Sequence, residues 1–136
     1  MKSIPWKSLF TVTGVIAGVI GISAWYVFLK PGRNIQHEQG ITISAGAIYK
    51  SYKENEKTAN TAYLDKAITV FGKISEVKTN QQGQQVIVLE TEDPVFGIVC
   101  TMQNPVDAVA GKEIKIKGFC TGYTTDVVLR DCIPEN

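Results

Sequence analysis

At 136 residues, with 14 Lys and Arg against 13 Asp and Glu, the chain has room for one hydrophobic core and lacks the basic excess of a general phosphate-tracking protein. Charge is uneven along it: residues 1–40 hold four cations and one acid, while residues 41–136 hold ten and twelve, so the larger part is mildly acidic. The sole His, His37, and three Cys without a C-x-x-C pair exclude the common zinc spacings.

Residues 9–29 (LFTVTGVIAGVIGISAWYVFL) contain no charged side chain, and a helix of that length crosses a bilayer core of roughly 30 Å. The run is longer than the hydrophobic stretch of a signal peptide and ends in Trp25, Tyr26, Val27, Phe28 and Leu29 rather than in small residues. An uncleaved signal anchor over 9–29 is therefore expected, behind a flank of residues 1–8, with Trp6, Trp25 and Tyr26 at the two interfaces. Lys2 and Lys7 precede the run, Lys30 and Arg33 follow it, and a short positive leader favours the domain lying outside the cytoplasm. Gly14, Gly18 and Gly21 share one helix face and could pack against a second helix, a self-association that competes with the ordinary abundance of glycine in such spans.

Residues 30–40 (KPGRNIQHEQG) have the composition of a tether, which sets a linker at 30–43 and a domain at 44–136. The domain opens as one amphipathic helix, with Ser44 as N-cap and Ala45, Ile48, Tyr49, Tyr52, Ala59 and Tyr63 at helical spacing. Lys53 with Glu56, and Glu54 with Lys57, are spaced to support its wet face.

From residue 67 the period changes to two. Strands are expected over 67–78, 85–91, 95–102, 113–120 and 126–133, with a short helical excursion at 104–111 opened by Asn104 and Pro105 and ended by Gly111. Gly72 in mid-strand suggests a bend by which one strand serves both halves of a curved sheet. The expected class is thus mainly β: a single transmembrane helix, an amphipathic helix and a five-stranded OB-fold barrel, with an open five-stranded sheet on the helix as rival.

The string at 48–66 (IYKSYKENEKTANTAYLDK), then VFGKI, Cys100, KIKGFCTG and VVLRDC, resembles the tRNA_anti-like family over about residues 44–133. Its most specific pieces are Tyr49, Tyr52, Asn55, Glu56 and Ala59, and the later grouping Cys120, Gly122, Asp131 and Cys132. The resemblance implies an OB-fold domain, of a bacterial family often membrane-anchored or exported; with the flanking charges, the expected place is the bacterial inner membrane with the domain on the extracytoplasmic side. It implies no settled activity and no catalytic residues.

A single-strand binder needs aromatic platforms beside cations, and the candidates are Phe71, Phe96, Phe119 and Tyr123 with Lys73, Lys78, Lys115, Lys117 and Arg130. Of these Phe71, Lys73, Phe96, Phe119, Tyr123 and Arg130 form the candidate ligand set. Lys115 and Lys117 alternate with Ile114 and Ile116 as on any solvated strand face, and Glu90, Glu92 and Asp93 sit near the usual ligand strands, which argues against nucleic acid.

For the cysteines, a hairpin of the last two strands turning near Thr124 would put Cys120 opposite Val128 and Cys132 opposite Ile116. The two would then be about 13 Å out of register, beyond disulfide reach. Cys100 could meet either, and buried apolar filling is an equal reading, so the disulfide state stays open. With His37 in the tether and no phosphate loop, no enzyme is expected; Asp126 and Asp131 read as solvated strand ends, and no cofactor or metal is implied. The functional expectation is a membrane-anchored binding or interaction module of unknown ligand. Its alternatives are a single-stranded nucleic-acid or oligosaccharide binder, and an accessory subunit of a membrane complex with a protein partner.

Overall fold

The computed structural model describes the backbone over residues 6–28 and 33–136 and side chains over residues 11–26 and 33–136. It comprises two units, Met1–Arg33 and Asn34–Asn136.

In the first unit the uncharged run is helical, α1 (Trp6–Phe28). Its described side chains are exposed, among them Val15, Ile16, Val19, Ile20, Ile22 and Trp25, and an added Cβ on Gly14, Gly18 or Gly21 would meet nothing within 4 Å. Among the described residues no helix is long and apolar enough to cross a membrane. The expected span over 9–29 is therefore not met among them; Lys30 and the side chains at the ends of the span, like that of Trp6, lie outside the described residues.

The second unit starts in the segment expected as a tether. Ile35 is fully buried against Ala67 and Phe119, with Ile133 packed alongside. Next comes β1 (Ile41–Ser44), a strand with no alternation long enough to announce it, paired in parallel with residues 68–71.

Ser44 ends that strand and caps the helix: its hydroxyl accepts from Ala47 N–H at 3.2 Å, as expected of an N-cap serine. The single helix expected is two, α2 (Ala45–Glu54) and α3 (Glu56–Tyr63). Asn55 makes the break: its extended backbone (φ −158°) closes α2 through Ser51 carbonyl, while its side chain accepts from Thr58 N–H at 3.1 Å and caps α3. The expected Lys53–Glu56 and Glu54–Lys57 pairs straddle that break, and Lys50 and Glu54 pair instead at 3.9 Å.

The strands are β2 (Ala67–Thr79), β3 (Gln85–Leu89), β4 (Ile98–Met102), β5 (Glu113–Tyr123) and β6 (Val127–Pro134). The first half of β2 pairs antiparallel with β5 and its second half with β3. Antiparallel β3–β4, parallel β4–β6 and antiparallel β6–β5 complete a closed five-stranded mixed barrel, with β1 alongside as a sixth strand. The β2–β5 pairing excludes the open-sheet rival.

Strand β2 does serve both halves, but the register shift lies between Ile74 and Glu76 rather than at Gly72. Gly72 is bare for another reason: a Cβ there would stand 3.0 Å from Ala45 Cβ, at the start of the helix that packs on the barrel.

Residues 104–111 form no helix. The Gln85 side-chain amide mimics a ladder partner for this stretch, donating to Val106 carbonyl (2.9 Å) and accepting from Val106 N–H (2.8 Å). Gly111, at φ 94°, donates to Ile74 carbonyl, so tertiary hydrogen bonds replace the intrahelical ones that Pro105 would have opened.

The main core joins Ile48, Tyr52, Ile68, Val70, Ile87, Leu89, Ile98, Cys100, Ile116, Cys120, Leu129 and Cys132 inside the barrel. Each large aliphatic side chain buried this way contributes roughly 1.5–3 kcal/mol of transfer free energy.

Candidate binding surface

The alternation of β2 and β5 sorts their residues cleanly. Ile68, Val70, Ile74, Ile116 and Cys120 face the core, so Ala67, Thr69, Phe71 and Lys73 of β2 and Glu113, Lys115, Lys117 and Phe119 of β5 stand on the outer surface. Register aligns them in rows: Lys73 with Glu113, Phe71 with Lys115, Thr69 with Lys117, and Ala67 with Phe119 followed by Arg130 on β6. Four of the six candidate residues, Phe71, Lys73, Phe119 and Arg130, therefore share one face of the barrel.

They differ in access. Phe71 is 43% exposed and shares a groove with Glu113, Ile114 and Lys115. Phe119 is buried, with the Arg130 guanidinium 5.1 Å from its ring centroid and Ile35 packed against it. Thr69 donates to Glu135 Oε2 at 2.6 Å, and Glu135 N–H reaches the Lys115 carbonyl, which pins the chain's last residues to the same face.

The other two candidates lie elsewhere. Tyr123 stacks on Tyr52 (centroids 5.5 Å apart) and meets Tyr49 edge-on at 6.1 Å, forming the lid of the core with α2. Phe96 packs against the main core, its carbonyl accepting from the Thr91 hydroxyl at 2.7 Å. The strands that usually carry an OB-fold ligand correspond to β3 and β4, whose outer side offers Val88, Val99 and Thr101 and no aromatic ring among the described residues.

Beside Phe96, Asp93 accepts from Val95 and Phe96 N–H groups at 2.8 and 3.1 Å and from the Tyr49 hydroxyl at 3.3 Å. Those backbone donors hold its carboxyl below the ordinary range, while burial beside Asp93 and Tyr123 pushes the Tyr49 hydroxyl up to about 12. Burial and the Cys120 thiol, 3.3 Å away, likewise raise Tyr52. Asp126, expected as a solvated strand end, instead accepts from Gly97 N–H at 2.7 Å. Asp131 pairs with Arg130 and has a left-handed backbone, φ 52°.

All three cysteines are free and buried. Cys120 pairs with Leu129, one position from the expected Val128, and Cys132 sits with Asp131 opposite Gly118 because the β5–β6 register shifts between Lys117 and Phe119. Gly122 (φ 118°) and Asp131 supply the left-handed positions at two irregularities of the β5–β6 ladder, and Cys120 and Cys132 fill the interior beside them.

Sequence reading found Phe71, Lys73 and Arg130 from aromatic and cationic alternation but missed Ile35, Thr69 and Glu135 as parts of the same face. A lone apolar residue in a polar stretch carries no period to read.

Among solved structures, the chain aligns with a "putative nucleic acid-binding lipoprotein" of Klebsiella pneumoniae subsp. pneumoniae MGH 78578 at 15% identity and TM-score 0.53, covering 70% of this chain and 92% of that one. It also aligns with yeast Stn1 and Ten1 at 14% identity and TM-score 0.47, covering 74% of this chain and 65% of that one. The first likeness concerns the fold. A search of curated proteins found no match. The sequence profile of the tRNA_anti-like family matches residues 12–133, almost the whole chain, and the protein belongs to that family.

Proposed function

We propose that this protein is a non-catalytic binding module of the cell envelope, held at the membrane through its N-terminal apolar segment and presenting a ligand surface on the outer face of β2, β5 and β6. The observation that carries the surface is Phe71: a large aromatic ring, 43% exposed, set on a rigid ladder between Lys73 and Lys115. Membrane attachment is supported by the uncharged run at 9–29 and by the exposed apolar side chains of α1, a surface larger than water normally tolerates uncovered. Placement of the domain outside the cytoplasm rests on the flanking charges.

A polyanion with planar groups suits an aromatic ring flanked by two ammonium groups, and this favours single-stranded nucleic acid as a second reading over oligosaccharide. Glu113 and Glu135 on the same face weaken the general field, so selectivity would come from the ring rather than from net charge. A role as an accessory subunit, with α1 paired through Gly14 and Gly18, is the third reading. There Gly14→Leu would release a co-purifying protein while leaving oligonucleotide binding intact.

The test uses the full chain in detergent micelles against a fluorescein-labelled fifteen-residue oligothymidine and a labelled chito-oligosaccharide. Phe71→Ala and Lys73→Glu should each weaken retention about tenfold or more, with Lys78→Glu, where β2 pairs with β3 instead of β5, as control. If neither probe responds to Phe71→Ala, this face is not the ligand surface.

A further inference from the structure

Lys117 stands on the outer face of β5, in the row of Thr69, yet it is only 9% exposed. A lysine at such a position is ordinarily solvated, and covering it restricts a flexible side chain at a cost in entropy. Between its ladder neighbours Thr69 and Ile133, part of its cover is the segment 34–40. Ile35 seats on Ala67, Phe119 and Ile133 in a cluster separate from the barrel core. Gly40 lies so close that an added Cβ would be 2.7 Å from Thr69 Oγ1 and 3.4 Å from Lys117 Cε.

The segment closes its own turn. His37 N–H donates to the Asn34 carbonyl and Gln36 N–H to Asn34 Oδ1, and ladder pairing with the barrel begins only at Ile41. Beneath it lie an aromatic ring and one cation, Phe119 and Lys117, beside the exposed Arg130 and continuous with the row of Phe71 and Lys115. A carboxylate already sits in that row: Glu135 Oε2 accepts from the Thr69 hydroxyl at 2.6 Å, so the face accommodates an anionic oxygen.

We infer that residues 34–40 form a displaceable strap over a cryptic extension of the Phe71 surface, and that withdrawal of Ile35 opens Phe119 and Lys117, beside the already exposed Arg130, to a single-stranded, phosphate-bearing chain. Phe119 and Phe71 are offset by four positions along the β2 ladder, about 13 Å. That offset provides two separate stacking positions with cations alongside each, and a ligand spanning both must first lift the strap. The strap thus lowers apparent affinity by the fraction of time it is open. This rests on the Phe71 reading above, and its test is separable from that one.

The experiment uses the full chain in micelles with two readouts. In hydrogen exchange, amides of residues 34–40 should exchange by local opening, well before those of β5; exchange of 34–40 only on global unfolding overturns the strap. In anisotropy with labelled oligothymidine, Ile35→Ser should bind about ten- to hundredfold more tightly than the native chain. Gly40→Ala, which lifts the other end of the strap and leaves Ile35 in place, should shift affinity the same way. Adding Arg130→Glu to Ile35→Ser should remove the gain. Wild-type affinity in both strap variants overturns the inference even if Phe71→Ala weakens binding. A gain in the strap variants that Arg130→Glu cancels, with no effect of Phe71→Ala, keeps the cryptic patch and discards the exposed one.

Discussion

Gly118 lies directly beneath the sulfur of Cys132: a Cβ at Gly118 would collide with Cys132 Sγ and stand 3.0 Å from the Arg130 carbonyl. The register shift that places Asp131 and Cys132 opposite a single residue of β5 fits because that residue has no side chain. Gly118→Ala should destabilise the fold by about 1–3 kcal/mol, the usual cost of overpacking. In a urea-denaturation cycle, Cys132→Ala in the Gly118→Ala background should recover part of that loss by vacating the contested volume. Strict additivity of the two changes would show that the glycine is bare for some other reason.

Asp126 joins the loop before β4 to the turn before β6, accepting from Gly97 N–H while Val127 N–H donates back to the Gly97 carbonyl at 3.2 Å. Asp126→Ala strands the Gly97 donor and should cost about 1–3 kcal/mol, while Asp126→Asn, which keeps an acceptor, should cost less. Gly97→Ala should be worse than either, because its Cβ would run into the Leu89 carbonyl, which is backbone and cannot rotate away. Thermal or urea midpoints rank the three; equal values would refute the clamp.

The cysteines should be inert in the folded protein. All are buried, and Cys132 is pushed well above the ordinary thiol range by its hydrogen bond with the Cys100 thiol and by burial, so the reactive thiolate is scarce. Ellman's reagent should find no thiol in the native protein and three in denaturant, without prior reduction. A native thiol count of one or more, or fewer than three after unfolding, contradicts this arrangement.

Stability should fall at both ends of the pH scale through two neighbouring groups, Asp93 and Tyr49. Asp93 is held below its ordinary 3.8 chiefly by Val95 and Phe96 N–H groups, so its contribution is whole above about pH 4 and is lost as pH drops through the depressed folded-state value. Tyr49 runs the other way: raised from 10.0 to about 12, it stabilises fully below pH 10 and its contribution erodes between there and 12. Urea midpoints against pH should show the acid limb flattened by Asp93→Asn and the alkaline limb flattened by Tyr49→Phe. Unchanged limbs in both variants would mean that other groups control them.

Local patterning determined much of this protein. Alternation at 67–74 and 113–120 set which side chains enter the barrel and Ser44 set the helix start, because each acts through bonds to residues a few positions away. Tertiary structure alone decided the rest. Closure through β2–β5, the replacement of a helix at 104–111 by the Gln85 amide, the burial of Ile35 on Phe119 and the gathering of Phe71, Lys73, Phe119 and Arg130 on one face all depend on strands distant in sequence becoming neighbours. A two-residue period says which face a side chain takes and is silent about what that face will meet.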